Sequence, residues 1–186
     1  ICTGKIDKKH LDKLLELIRT NKLSTKSVEV LRYGGVTDDL SPELISDFCL
    51  KLSEIGDKAR WSSLKILYMY CFGKEDRIKK LRGPIKQILT TLPLHNEQEN
   101  YATELHHWQD LSKKLLEYDD ENLAIQLANQ IVKSAKIGFS YGDISYYIKP
   151  LLKVIMQDYG AIIWPIFSTA IIESQGMERY HFQKLM

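Results

Sequence analysis

Two Glu-x-x-His pairs, Glu104 with His107 and Glu178 with His181, come closest in residue type and spacing to a chemical site. A three-residue step puts carboxylate and imidazole on one helical face, the arrangement by which di-iron carboxylate bundles hold metal. Such a centre also needs an inward glutamate from each of two other helices, and the long apolar stripes of this chain place none in register. A carboxylate and histidine metal enzyme is therefore the third reading, and no metal and no cofactor is expected. His106 and His107 are adjacent, so on a helix they point about 100° apart and do not form one chelating face. One is expected at the surface and one at a packing edge. The sequence has no Gly-rich phosphate loop, no nucleophile elbow and no spaced Cys and His zinc pattern. No catalytic residue is assigned, and the chain reads as a non-enzyme.

Charge carries more information than motif. The formal total is only +2, yet Lys74 to Lys86 contains six cations against Glu75 and Asp76, 6 − 2 = +4 in thirteen residues. Glu97 to Glu121 runs the other way, with eight acids against Lys113 and Lys114, 2 − 8 = −6. A basic edge on a helical array can contact phosphates, because each neutralised phosphate releases counterions. Lys79, Lys80, Arg82 and Lys86 are the binding candidates of that stretch, with Gly83 and Pro84 expected to hold them in a turn. Among the aromatics, Tyr147 and Trp164 sit among apolar neighbours at core spacing. Tyr141 and Tyr146 are the surface binding candidates, since tyrosine is enriched at interface hot spots.

Three cysteines, Cys2, Cys49 and Cys71, are too few and too far apart for a disulfide framework, which points to a reducing, cytoplasmic setting. No run reaches the roughly 18 to 20 uninterrupted apolar residues of a membrane helix, because Gly160, Pro165, Ser168 and Thr169 break the stretch around Trp164. A soluble chain with no membrane partner is expected. It starts at Ile1 and shows no signal-like segment, so we read it as a fragment of a longer protein.

The elements that must position these residues are helices throughout, since no segment alternates as a strand does. Pro42 to Ile55 carries Leu44, Ile45, Phe48, Cys49, Leu52 and Ile55 at 3.6-residue spacing, capped by Ser41 and ended by Gly56. Asp57 caps a second helix to Phe72, and the two form an antiparallel hairpin. A second pair spans Tyr101 to Tyr118 and Glu121 to Ile137. A third is expected at Asp143 to Tyr159 and Ala161 to Ser174, turning at Gly160. Short helices fall at about Lys8 to Arg19 and Thr25 to Tyr33, and a bridging helix at Pro84 to Leu92.

Two stretches resemble the HEAT repeats of the armadillo-type helical family. Ile148-Lys149-Pro150-Leu151-Leu152-Lys153-Val154-Ile155 is similar to a HEAT first helix, which bends at a proline set among leucines. Asp57-Lys58-Ala59-Arg60-Trp61, followed by Leu64 and Leu67, resembles the start of a HEAT second helix, where an aspartate and an arginine recur. The two matches lie in different repeats. The resemblance covers 41–174 and implies an all-α fold of antiparallel hairpins stacked as a right-handed solenoid. On this reading 1–186 is one helical-repeat domain, with short helices over 1–40, helix pairs over 41–174, and a cap or the start of a further segment at 175–186. It implies a non-catalytic scaffold for a protein partner inside a larger protein. A nucleic-acid-binding array using the edge at Lys74 to Lys86 is the alternative.

Overall fold

The computed structural model describes residues 6–32, 36–94, 101–118, 120–137 and 144–185. All regular structure among them is helical, as the absence of strand patterning requires. Contacts gather the chain into two compact units, Ile1–Leu92 and Pro93–Met186.

In the first unit, α1 (Lys8–Arg19) starts because the Asp7 carboxylate accepts the His10 backbone N–H at 3.1 Å, and it buries Leu11, Leu15 and Ile18. A 3₁₀ segment (Thr25–Arg32) follows, in place of the expected short α-helix, and buries Val28 and Leu31. α2 (Pro42–Ser53) begins as read from sequence: the Ser41 hydroxyl accepts the Leu44 N–H at 3.3 Å, and Pro42 fills the first turn. α3 (Asp57–Cys71) differs in its cap. Gly56, at φ 154°, is the capping residue, and Asp57 stands inside the first turn.

α3 is enclosed by its neighbours. The 3₁₀ segment, α2 and α4 (Glu75–Thr91) all pack on it, and 11 of its 15 residues are buried. Its buried hydroxyls bond back to the helix, Ser62 to the Lys58 carbonyl and Ser63 to the Ala59 carbonyl. Lys65 is 3% exposed and reaches Glu29 on the 3₁₀ segment at 3.4 Å. α4 corrects two expectations. The bridging helix does not begin at Pro84, and Gly83-Pro84 makes no turn; one helix runs from Glu75 to Thr91 with Pro84 inside it. Proline has no N–H, so the Lys80 carbonyl loses its usual helical donor, while five buried aliphatic residues, from Ile78 to Leu89, hold the helix to α2 and α3.

The second unit contains α5 (Tyr101–Leu116), α6 (Glu121–Ile137), a π-helical turn (Ile144–Ile148), α7 (Lys149–Glu173) and α8 (Gly176–Leu185). The Asp120 carboxylate starts α6 by accepting the Leu123 N–H at 2.9 Å. α6 and α5 pack on α7, and α8 folds back onto α6. The break expected at Gly160 falls one residue earlier: two helical segments meet at a kink at Tyr159 (φ −126°, ψ 17°), with no intervening loop. Pro150 falls in the first turn of α7, directly after the π-helical turn, where proline is tolerated. Pro165, Ser168 and Thr169 do not interrupt the helix. By length and composition the 28 residues Tyr146–Glu173 are therefore long and apolar enough to cross a membrane, a correction to the expectation that no segment is.

Candidate functional site

α4 carries the basic stretch and divides it. Lys74 and Arg77 pair with Asp38 at the surface: the Lys74 ammonium and the Arg77 guanidinium both donate to Asp38 Oδ1, the latter at 3.1 Å. Hydrogen bonds from Lys74 and then Arg77 hold the Asp38 carboxyl below its ordinary pKa. Arg77 also donates to the Asp38 and Tyr70 carbonyls and stacks over the Tyr70 ring at 3.9 Å. Burial raises the pKa of the Tyr70 hydroxyl, which donates to the Leu40 carbonyl at 2.7 Å. These two cations are structural and leave the patch.

The other four lie further along the helix. Lys79, Arg82 and Lys86 follow i, i+3, i+7 spacing, which lines them up along one face with Gly83 between them. Lys79, Lys80 and Arg82 are exposed and Lys86 is half-buried. Lys80 stands on the flank of that face beside a groove of about 340 Å³, which Glu43, Ser46, Asp47 and Leu50 of α2 share with Leu81. The Glu43 carboxyl lies below its ordinary pKa, first through a hydrogen bond from its own backbone N–H and then through Ser41, with the Lys80 charge adding to the effect. Asp47 is paired with Lys51 at 2.6 Å. The Thr90 and Thr91 hydroxyls, which share the outer side of α4, donate back to the Lys86 and Gln87 carbonyls.

Compared with family models, curated proteins and solved structures, the chain finds no match in any of the three.

The remaining candidate residues lie in the second unit. Tyr146 is 73% exposed on the π turn, as a surface role requires. Tyr141 lies outside the described residues. Trp164 departs from its expected core position and is 47% exposed. It belongs to a larger feature that sequence reasoning missed. From Tyr159 to Ile172 α7 has no charged residue, and its inner edge, Ile163, Phe167 and Ala170, is buried. The opposite side leaves Ile162, Trp164 and Ile172 exposed, and Met177 and Tyr180 of α8 are exposed too. The Lys184 ammonium sits 4.5 Å from the Tyr180 ring centroid. The missing signal was continuity. Gly160 and Pro165 were read as stops, and once they are helical the stretch has apolar residues on all sides.

The Glu-x-x-His pairs do not form a metal centre among the described residues, where no group of three ligating side chains converges. Glu104 and His107 are buried on α5, whereas half-buried His181 on α8 donates from Nδ1 to the Ala135 carbonyl at 3.1 Å. His106 is exposed and His107 buried, the division that adjacent helical positions require. The sequence reading did not single out Trp108 and Ser112, one turn apart on α5. Both are fully buried, and the Trp108 Nε1 and Ser112 Oγ atoms have no hydrogen-bond partner among the described residues.

Proposed function

We propose that this chain is a non-catalytic helical scaffold that binds a protein partner through the outer face of α7. The observation that carries this reading is the uncharged run Tyr159–Ile172 with Ile162, Trp164 and Ile172 exposed. A helix that is apolar all round is stable when its whole circumference is covered, and α3 illustrates this within the same chain, wrapped by the 3₁₀ segment, α2 and α4. Over 159–172 the outer face of α7 carries no charge, and the Ser168 hydroxyl is spent on the Pro165 carbonyl at 3.1 Å. The partner it suits is an amphipathic helix presenting an aliphatic stripe. Lys149, Lys153, Asp158 and Glu173 are exposed along the 28-residue stretch that is long enough to cross a bilayer, which favours a protein cover over a lipid one.

A HEAT-like stacking of the helices belongs to the same proposal and is supported by packing order in the first unit. α1 packs on α2, the 3₁₀ segment on α3, α2 on α3 and α4, and α3 on α4, so each main contact joins elements no more than two steps apart. Arg60 connects the Asp57 carboxylate, at 2.8 Å, with the Thr91 carbonyl at the end of α4, at 3.2 Å. The Asp-x-x-Arg pair thereby ties the start of one helix to the end of the next.

The test is site-specific photo-crosslinking in the cells that make the protein, with p-benzoylphenylalanine at Trp164 or Ile172 and at exposed Lys133 as control. We expect one protein, joined through an amphipathic helical peptide, to recur from the two α7 positions and not from the control. Adducts only to lipid, only to a second copy of the chain, or to nothing, would overturn the reading.

A further inference from the structure

We propose that the outer face of α4 is a second binding surface, independent of α7, and that its ligand is the phosphate backbone of nucleic acid. The first step is subtraction. Two of the six cations in Lys74–Lys86 are paired with Asp38; of the other four, spread over about two turns of helix, Lys79, Lys80 and Arg82 are exposed and Lys86 is half-buried. The acids Glu75 and Asp76 are confined to the first turn, where they complement the helix dipole. Lys79 and Lys80, which carry most of the argument, are exposed and make no hydrogen bond or ion pair among the described residues.

The second step is the character of the face. Its neighbouring outward positions are Gly83, Gln87, Thr90 and Thr91, with Pro84 half-buried at one margin. Protein interfaces draw their affinity from buried aromatic or aliphatic anchors, and this face has none. Phosphate contact needs only cations and close approach. Gly83 helps with the latter, because nothing lies within 4 Å of where its Cβ would be. With no aromatic to stack on a base and no free threonine hydroxyl, the surface reads backbone charge and not sequence. Glu43 and Asp47, across the groove from Lys80, bound the footprint on the α2 side.

The experiment is fluorescence anisotropy of the whole chain with a labelled 30-base-pair DNA duplex, the matching RNA duplex and the single strand, at about 50 and 200 mM salt. If all four cations engage, affinity falls about a hundred-fold between the two salts, from a slope near −0.9 per phosphate. Lys79→Glu/Lys80→Glu is expected to weaken binding at least ten-fold at the lower salt and to flatten the salt slope by about two. Lys8→Glu/Lys9→Glu makes the same charge change on α1 and is expected to alter affinity less than two-fold, with helical circular dichroism unchanged in both variants. No binding at 50 mM, an equal loss in the α1 control, or displacement by poly-glutamate as effective as by competitor DNA would each overturn the proposal. Similar affinity for all three nucleic acids is the expected result, and a preference for one that survives at 200 mM salt would overturn the sequence-blind backbone reading.

Discussion

α3 and α7 are both rich in apolar residues on every side, and their fates differ. In the first unit α3 buries 11 of its 15 residues, and three of the polar side chains taken inside with it are matched: Ser62 and Ser63 to helix carbonyls, Lys65 to Glu29. In the second unit α7 buries only 7 of 25 residues and leaves Trp164 and Ile172 outside, while α5 buries Trp108 and Ser112 whose polar atoms lack partners among the described residues. The first unit also leaves apolar side chains outside, Val30, Met69 and Phe72, but in the second the exposed Ile162, Trp164 and Ile172 share one uncharged stretch of a single helix. Such a concentration arises where a protein does something other than fold, because a surface kept for a ligand cannot also be optimised for water.

The sharpest way to break this comparison lies within α7 itself. Phe167→Ala on the inner edge removes a side chain that is 1% exposed and is expected to cost about 3–5 kcal/mol in chemical denaturation. Trp164→Ala on the outer edge is expected to cost less than about 0.5 kcal/mol, as exposed substitutions do. Equal costs would mean that the outer face is already covered, and the contrast between α3 and α7 would collapse.

The next effect tests whether the inside of the first unit is as well matched as it looks. Lys65→Ala removes the Glu29 ion pair and the buried stem together and is expected to cost about 2–3 kcal/mol, whereas Lys65→Met, which keeps the stem, is expected to cost less. A Met variant as damaging as the Ala variant would show that the charge and not the packing holds the 3₁₀ segment to α3.

The smallest effect is electrostatic. Asp38 has a lowered pKa in the folded chain, so its contribution is fully present above its unfolded value near 3.8 and is lost as pH falls through the lower folded value. Asp38→Asn should therefore flatten the acid limb of a stability–pH curve below about pH 4 in the first unit, with less change near neutrality. An unchanged acid limb would show that Lys74 and Arg77 do not hold that carboxylate in solution.

Much of the fold was legible where a local rule had no competitor. Ser41 and Pro42 starting α2, the aliphatic stripe through Ile45, Phe48 and Leu52, and α5 and α6 over 101–137 all follow from capping and 3.6-residue spacing, which act within one turn of the chain. The errors fell on Gly and Pro. Gly83-Pro84 carries strong local stop signals, worth about 1 kcal/mol for glycine and about 3 for proline, and the burial of Ile78, Leu81, Ile85 and Ile88 on α4 outweighs them. In the candidate site, Lys79, Lys80, Arg82 and Lys86 were legible as a charge excess. That Lys74 and Arg77 do not join them was not, because Asp38 lies 36 and 39 residues away in sequence.

The sequence by itself determined that the chain is helical, where most helices begin, and which stretch is basic, because caps, apolar period and charge are properties of neighbouring residues. Only the tertiary structure decided which cations pair with Asp38, which apolar face of α7 lacks a cover, and that the Glu-x-x-His pairs stay apart among the described residues. Those outcomes depend on contacts between distant segments, whose energies no local pattern encodes.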